Sequence, residues 1–354
     1  MNILAINPGA TSTKIALYRN KEQQFEQTIE YTSDQLKDFD GIFDQFTLRL
    51  EDILNVLGEK AIQPLDAVAA RGGLIGPVPA GAIEVDDDLV YHLKHDPVLE
   101  HASNLGAALA QEVIQQYGKP QAKAYIYDPV TVDSMIPVAR MTGIKGIERQ
   151  SIGHHLNMRA VARNMAQDLG KTYEEVNVVV VHMGGGASAS AHQQGEVIDF
   201  ISDDEIMFSA ERSGGLPVKA VIKQVEKMGS KEFSALSRKN AGLQSHCGTK
   251  DLREVTARIQ AGDNYAELVF DALALGISKT IAALATTLEG KVDVIAITGG
   301  MAHSKELIQR VAKRSEFIAP VKTYPGEQEM DALAFGILRV LNKEEQASPF
   351  VKPS

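Results

Sequence analysis

Cysteine is nearly absent from this chain. The single Cys247 excludes an internal disulfide and a CxxC metal site, as is typical of proteins in a reducing compartment. The opening residues carry no signal-peptide pattern, so we expect a cytoplasmic location. A long apolar run free of charge is also lacking. The most apolar stretch, residues 268–288, contains Asp271 and Lys279, which predicts a packed helix and no membrane span.

Positive charge is in deficit as well. Lysine and arginine number 36 against 46 aspartates and glutamates, which gives a net charge of −10. A sequence-independent nucleic-acid binder needs an excess of cations to neutralise phosphates, so that class is disfavoured. Any anion site must therefore be a local cluster of cations. With 354 residues, of which 44% are hydrophobic, the chain is long enough for two globular domains.

A strand–turn–strand pattern occurs twice in the chain. Residues 2–6 and 14–18 favour strands around the small polar turn 7–13, and residues 177–183 and 189–192 do so around the glycine turn 184–188. Glycines let the backbone approach an anion, whose oxygens accept hydrogen bonds from N–H and hydroxyl groups. Two such turns predict a duplicated domain that binds phosphate from both sides. Neither turn is a Walker loop. That motif needs Gly-x4-Gly-Lys-Ser/Thr at the start of a helix, whereas Lys14 is followed by an extended segment.

Helices alternate with strands in the remainder of the chain. The apolar spacing predicts helices at 31–57, 104–117, 158–169, 218–236, 250–288, 304–314 and 330–342, and strands at 65–70, 122–127 and 292–298. This alternation predicts an α/β fold with a binding edge at the strand ends. We expect a first domain at 1–152, completed by the C-terminal segment 330–354, a second domain at 153–329, and an active site in the cleft between them.

Four motifs together carry a resemblance to a known family. They are Asn-Pro-Gly-Ala-Thr-Ser-Thr-Lys at 7–14, Arg-Gly-Gly at 71–73, Ser-Ile-Gly-His-His-Leu-Asn at 151–157 and Glu-Arg-Ser-Gly-Gly-Leu-Pro at 211–217. With these motifs in this order, the chain resembles the acetate and butyrate kinase family over nearly its full length. That family belongs to the superfamily of actin, sugar kinases and heat-shock ATPases.

The resemblance implies a fold and a reaction. The fold would be two duplicated actin-like ATPase domains, each with a mixed sheet and flanking helices. The reaction would be reversible transfer of the ATP γ-phosphoryl group to a short-chain fatty acid, giving ADP and an acyl phosphate, with butyrate as the predicted acid. Such an acid is already ionised at pH 7, so catalysis needs cations and positioning more than a strong base.

The resemblance also implies which residues form the site. The catalytic groups would be Arg71, Arg212, His154, His101 and Asp128. The residues in contact with ATP would be Asn7, Thr11, Ser12, Lys14, Gly184, Gly185, Gly186, Ser188, Gly299, Gly300 and Met301. Mg²⁺ would be associated with Glu329 and Asp128.

Several alternatives stay open at this stage. His155 could take the place of His154, Glu327 that of Glu329, and Asp128 could merely cap the turn at Pro129. The acid could be isobutyrate, isovalerate, propionate or acetate. A sugar kinase and a non-catalytic, mechanical ATP-binding protein of the actin type are further candidates. The relatives imply a homodimer or larger homo-oligomer without nucleic-acid or membrane partners.

Two glycines bear on the choice of acid. Acetate kinases of the resembled family place a valine two residues after the arginine matched by Arg71, and a phenylalanine just before the histidine matched by His154. This chain has Gly73 and Gly153 at those positions. The loss of both side chains predicts a larger acyl pocket, and hence a four-carbon or branched acid in preference to acetate.

Overall fold

The computed structural model describes residues 1–353, and the chain divides into two compact units. The first unit comprises Met1–Asp133 together with the C-terminal segment from Gln328, and the second comprises Ser134–Glu327. The predicted boundary at 152/153 therefore lies inside the second unit. The segment after residue 133 belongs there because Arg149 forms ion pairs with Asp199 and Glu205, contacts that the local sequence pattern does not reveal.

The elements follow one another in chain order. The strands are β1 (Asn2–Pro8), β2 (Ser12–Arg19), β3 (Glu22–Glu30), β4 (Leu65–Arg71), β5 (Ala82–Glu84), β6 (Gly118–Tyr127), β7 (Val178–Met183), β8 (Ala187–Gln193), β9 (Glu196–Ile201), β10 (Val294–Gly299) and β11 (Val321–Pro325). The α-helices are α1 (Ser33–Leu36), α2 (Phe46–Glu59), α3 (Asp87–His95), α4 (Leu105–Tyr117), α5 (Pro137–Arg140), α6 (His155–Asp168), α7 (Val218–Met228), α8 (Ser230–Lys239), α9 (Gly242–Cys247), α10 (Leu252–Gln260), α11 (Asn264–Thr287), α12 (Lys305–Ser315) and α13 (Glu329–Leu341).

The two units have the same sheet topology. The first sheet has the order β3-β2-β1-β4-β6-β5, and the second has the order β11-β10-β7-β8-β9. In each unit the first strand pairs antiparallel with the second and parallel with the fourth. The fourth strand in turn pairs parallel with β6 in the first unit and with β11 in the second. The first sheet adds β5 at one edge. The duplication predicted from the two turns is therefore present in the strand order.

Each sheet is covered by helices on both faces. In β7, Val179 and Val181 pack in the core formed with α11 and α12, whereas Val178 and Val180 pack in the core formed with α6. This alternation follows from the two-residue period of a strand, and burial on both faces explains the continuous valine run. In the first unit, α4 packs on β4 and β6, and α13 packs on β1.

Three predicted helices are shorter than their apolar spacing indicates. The stretch 31–57 contains α1 and, after the extended Gly41, a 3₁₀ segment at Ile42–Gln45 that leads into α2 at Phe46. Gly229 separates α7 from α8 and Gly262 separates α10 from α11, and both have positive φ, of 88° and 89°. Glycine readily adopts that conformation, which ends a helix. The edge strands β3, β9 and β11 are not predicted from the sequence.

The long helix α11 forms the centre of the second unit. By length and composition it is the one helix among the described residues that could span a membrane. Its side chains Phe270, Ile277, Ile281 and Leu284 are fully buried in the core beside β7 and β8. A buried core helix meets the same length and composition criteria, so this helix is weak evidence for a span.

Candidate active site

The glycine turn between β7 and β8 is surrounded by charged and titratable side chains. Measured from the position that a Cβ would take at Gly186, His154 Cε1 lies at 3.8 Å, Arg212 Nε at 3.9 Å and Asp203 Oδ2 at 3.7 Å. The Gly185 carbonyl accepts a hydrogen bond from the Ser209 hydroxyl at 2.6 Å. An imidazole and a guanidinium therefore meet at a fixed backbone turn of the kind that binds phosphate.

Arg212 is oriented through only one of its nitrogens. Its Nε donates to Asp203 Oδ2 at 3.0 Å, and the side chain is 25% exposed. Among residues 1–353, neither terminal nitrogen of Arg212 has a hydrogen-bond acceptor. A guanidinium fixed through Nε presents its two terminal nitrogens as a fork, which suits the bidentate binding of a carboxylate or phosphate.

The two adjacent histidines have different surroundings. His154 is half-buried, lies at the glycine turn, and its Nδ1 is 2.9 Å from Ser188 Oγ. His155 begins α6, is buried against Phe200 and bonds through Nε2 to the Ser151 hydroxyl. Of the two, only His154 reaches the glycine turn, and its catalytic role stays a prediction.

His182, near the end of β7, was missed from the sequence. It is buried, and its ring stacks on that of His154 with centroids 3.8 Å apart. Its Nδ1 accepts from the Asn157 amide at 3.0 Å, which assigns the proton to Nε2, and the same amide bonds to Thr298. A histidine that ends an otherwise apolar strand beside a glycine turn was the available signal.

Ser188 and the loop at 299–301 differ from their predicted roles. The Ser188 hydroxyl is buried between His154 and Met158 Sδ, so it orients the histidine and is not directed at phosphates. Gly299 has φ 85° and lies so close to the Met183 backbone that a side chain would overlap it. Gly300 has open space around it, and Met301 is buried. Of these three, only Gly300 presents open backbone.

Arg71, Asn7 and Glu329 form a second cluster, in the first unit. Arg71 follows the apolar residues of β4, and its Nη1 lies 2.7 Å from Glu329 Oε1. Asn7 Nδ2 donates to the other Glu329 oxygen at 2.5 Å, while Asn7 Oδ1 is buried without a hydrogen-bond partner. The carboxylate at 329 is thus bound at both oxygens, whereas Glu327 is about half exposed and lies 3.8 Å from His182.

The positive charge of Arg71 acts on the nearby imidazole of His101. Partial burial of the ring, and then the positive charge of Arg71, lower the pKa of His101. Its Nδ1 bonds to the Ser103 hydroxyl at 2.8 Å at the start of a 3₁₀ segment. The lowered pKa favours the neutral imidazole, and the predicted place of His101 near the substrate phosphate stays a prediction.

Asp128 is a buried residue at the end of β6. Its Oδ1 accepts from the Gly81 N–H at 2.7 Å, and its own N–H donates to the Gly81 carbonyl at 3.0 Å. It therefore anchors the Gly81 loop, a structural role with a partner other than the Pro129 turn. In residues 1–353, no group of three or more His, Cys, Asp or Glu side chains is arranged to hold a metal ion.

The first turn presents small polar residues. Thr11 is exposed, and Ser12, the first residue of β2, is half-buried. Lys14 lies 3.6 Å from Glu26, and both side chains are well exposed, so the pair contributes little to stability. An exposed lysine of this kind remains able to reach a bound anion.

The two glycines that predicted a larger acyl pocket do not leave space. A Cβ at Gly73 would overlap Asn104 and come within 2.6 Å of Leu93 Cδ2. A Cβ at Gly153 would lie 2.5 Å from Phe200 Cζ. Residues distant in sequence therefore fill the volume that the missing side chains would vacate. The inference that these two glycines enlarge the acyl pocket is wrong for this reason.

Acid should destabilise the second unit through His155. Burial lowers the pKa of His155 from 6.5 to about 3, so the unfolded state binds the extra proton and stability falls as pH drops below 6.5. At pH 5 the loss is about 2 kcal/mol. Urea unfolding at pH 7 and pH 5 should show that His155→Gln is less stable at pH 7 but loses less on acidification. The exposed His95→Gln should keep the wild-type pH dependence, and an unchanged dependence in both variants would contradict the prediction.

Solved structures define the class to which this fold belongs. The crystal structure of Porphyromonas gingivalis acetate kinase matches with a TM-score of 0.80 at 20% identity, covering 96% of this chain and 99% of that one. At this identity the likeness concerns the fold. The chain thus has the two-unit, actin-like α/β architecture of acetate kinases.

Sequence comparison then gives the family. The profile of the Acetokinase family matches residues 139–324. The chain is 43% identical over 349 residues to the "Probable butyrate kinase" of Enterococcus faecalis, covering 98% of this chain and 96% of that protein. It is 40% identical over 354 residues to "Butyrate kinase 2" of Clostridium acetobutylicum, covering 98% and 99%. The chain belongs to the acetokinase family, which confirms the resemblance carried by the four motifs.

Proposed function

We propose that this chain is a butyrate kinase that transfers the γ-phosphoryl group of ATP directly to butyrate. The carboxylate oxygen forms a bond to the γ-phosphorus, the bond from that phosphorus to the bridging oxygen breaks, and ADP leaves. No proton has to be removed, because the acid is ionised. The proposal is supported by Arg212, which Asp203 holds beside the glycine turn and whose terminal nitrogens are unbonded among residues 1–353. The two relatives named as butyrate kinases support the acid.

We assign roles that follow from charge and placement. Arg212 and Arg71 would stabilise the negative charge on the transferring phosphoryl group, and His154 would donate a hydrogen bond to it. His101 would lie near the substrate phosphate. Asn7, Thr11, Ser12 and Lys14 would contact the γ-phosphate. Residues 184–186 would contact the other phosphates, and residues 299–301 would lie under the adenosine.

Mg²⁺ would arrive with ATP and neutralise its phosphates. Magnesium keeps several waters and phosphate oxygens and needs only one or two carboxylates, so a cage of protein ligands is not required. Glu329 fits this role better than Glu327, because Arg71 and Asn7 hold it in a fixed position. Asp128 fits less well, since its side chain is buried and anchors the Gly81 loop.

Other functions have less support. A sugar kinase needs a carboxylate to take a hydroxyl proton, and the phosphate turn is lined by Arg212 and His154 with Asp203 already paired. A purely mechanical ATP-binding protein would not need these cations. We also propose a cytoplasmic location and a homodimer or larger homo-oligomer. The oligomer is supported by the exposed apolar side chains Tyr265, Leu268 and Leu275 of α11.

The test is ATP- and Mg²⁺-dependent acyl phosphate formation, trapped with hydroxylamine, for straight and branched acids of two to six carbons. We expect the highest kcat/KM with butyrate or isobutyrate. A maximum at acetate would retain the reaction and reject the acid. ATP binding without acyl phosphate from any acid would reject the reaction and favour the mechanical or sugar-kinase alternatives.

A further inference from the structure

Arg49 is a fully buried cation on α2 in the first unit. Its exposed fraction is 0%, and its guanidinium lies 4.7 Å from the centre of the Tyr31 ring. Its hydrogen bonds all go to neutral oxygens, namely Oε1 of Gln45, Oγ1 of Thr13 and the carbonyls of Gly9, Ala10 and Ser12. Burying a charge without an opposite charge is costly, so a buried arginine usually has an acidic partner. Among residues 1–353, Arg49 bonds to no acidic side chain.

The backbone acceptors of Arg49 belong to the turn that joins β1 to β2. Nη1 bonds to the carbonyls of Gly9 and Ser12 at 2.9 Å each, and Nη2 bonds to that of Ala10 at 3.1 Å. The carbonyl of Thr11 accepts from the Tyr31 N–H at 2.8 Å. Every carbonyl from residue 9 to residue 12 therefore has a protein donor.

This bonding sets the direction of the N–H groups in the turn. Residues 1–353 contain no cis peptide bond, and in a trans peptide the C=O and the next N–H point in opposite directions. Because the carbonyls of Gly9 and Ala10 face Arg49, the N–H groups of Ala10 and Thr11 point away from it. The Thr11 carbonyl likewise directs the Ser12 N–H away from Tyr31. An anion site requires consecutive N–H groups that point in one direction while the neighbouring carbonyl groups point away from it.

The charge of Arg49 acts in the same direction as these dipoles. A buried cation without a carboxylate partner produces a positive potential at the adjacent turn, and the low interior dielectric strengthens it. The second turn differs, because its Gly185 carbonyl is held by neutral donors, the Ser209 hydroxyl and the Glu211 N–H. Only the first turn is built around a buried charge.

We propose that Arg49 is a positioning residue that holds the turn at residues 9–12 so that its backbone N–H groups bind the terminal phosphate of ATP. This inference rests on the proposed function, which assigns that turn to the γ-phosphate. Arg49 does not touch substrate, because its nitrogens are engaged by the protein. Disturbing it should weaken the binding of ATP more than that of ADP, since ADP lacks the γ-phosphate.

The test compares the Kd values of ATP and ADP by calorimetry without acid substrate, in wild type and in Arg49→Lys. Lysine keeps the charge but cannot reach acceptors spread over the whole turn from one nitrogen. We expect ATP affinity to fall by about tenfold or more while ADP affinity stays within about twofold. Arg339→Lys is the matched control, because Arg339 bonds to Tyr127 and Glu345 in the same unit. It should leave the ATP/ADP affinity ratio unchanged.

A second variant covers the case in which Arg49→Lys does not fold. Gln45→Met keeps Arg49 but removes the side-chain acceptor of its Nε and Nη2, and it should lower the ATP/ADP affinity ratio by a smaller factor. A folded variant of either kind with the wild-type ratio would overturn the proposal. The measurement needs no turnover, so a wild-type chain that binds ATP but forms no acyl phosphate would reject the proposed function separately.

Discussion

Replacing Arg212 by alanine should lower the kcat of acyl phosphate formation by about 10³-fold or more. The KM for ATP should change far less, by about tenfold at most, because most nucleotide contacts are made elsewhere. Steady-state kinetics with saturating butyrate and Mg²⁺-ATP would measure both quantities.

The size of this effect follows from how Arg212 is held. Asp203 fixes Nε at 3.0 Å, and the terminal nitrogens have no acceptor in the described part of the chain. The fork is therefore preorganised for negative charge, and it loses little entropy when the phosphoryl group is transferred. A preorganised cation at developing charge is worth several kcal/mol, or about 10³-fold or more in rate.

Two further variants separate this role from a structural one. Asp203→Asn keeps the charge of Arg212 but weakens its orientation, so kcat should fall by about tenfold. Arg253→Ala removes an arginine of the same unit whose side chain is 91% exposed and paired with Asp251, and kcat should not change. An Arg212→Ala enzyme with kcat within about fivefold of wild type would exclude a transition-state role for this residue.

Local patterns were sufficient to predict the duplicated frame of the fold. The apolar runs at β1 and β7, each followed by a turn of small residues, predict two equivalent hairpins, and the identical strand order of the two units agrees. The edge strand β3 was missed because its sequence, EQQFEQTIE, has only two apolar residues, Phe25 and Ile29, which lie on one face and pack partly buried against the core. Strands at a sheet edge need not bury a full apolar face, so the periodic signal is weak there.

Long-range packing accounts for what local patterns could not predict. Arg49 lies in an amphipathic helix and looks like an ordinary surface charge, yet the turn at residues 9–13 buries it. Gly153 was interpreted as vacant space, which Phe200 occupies. The sequence pattern alone also does not show which of two adjacent histidines reaches the glycine turn. His154 precedes α6 and reaches the glycine turn, whereas His155 is its first residue and points into the core.

Replacing Arg71 by glutamine should lower kcat/KM for butyrate by about 10³-fold, because one of the two proposed phosphoryl-binding cations is lost. Arg71→Lys keeps the charge but not the fork, and should lose about 10- to 100-fold. The cause of this loss is ambiguous without a further variant, because Glu329 Oε1 lies 2.7 Å from Arg71 Nη1 and would lose its ion pair. Removing Arg71 leaves that carboxylate with Asn7 as its remaining side-chain partner among residues 1–353.

A double-mutant cycle with Glu329→Gln distinguishes two explanations for the loss. If Arg71 only neutralises Glu329, the double variant should regain most of the activity of Glu329→Gln alone, because no unpaired carboxylate remains to repel the phosphates. If Arg71 contacts the transferring phosphoryl group, the double variant should stay at least as impaired as Arg71→Gln. We expect the second result, since a guanidinium with one nitrogen on Glu329 still has donors to offer to an anion.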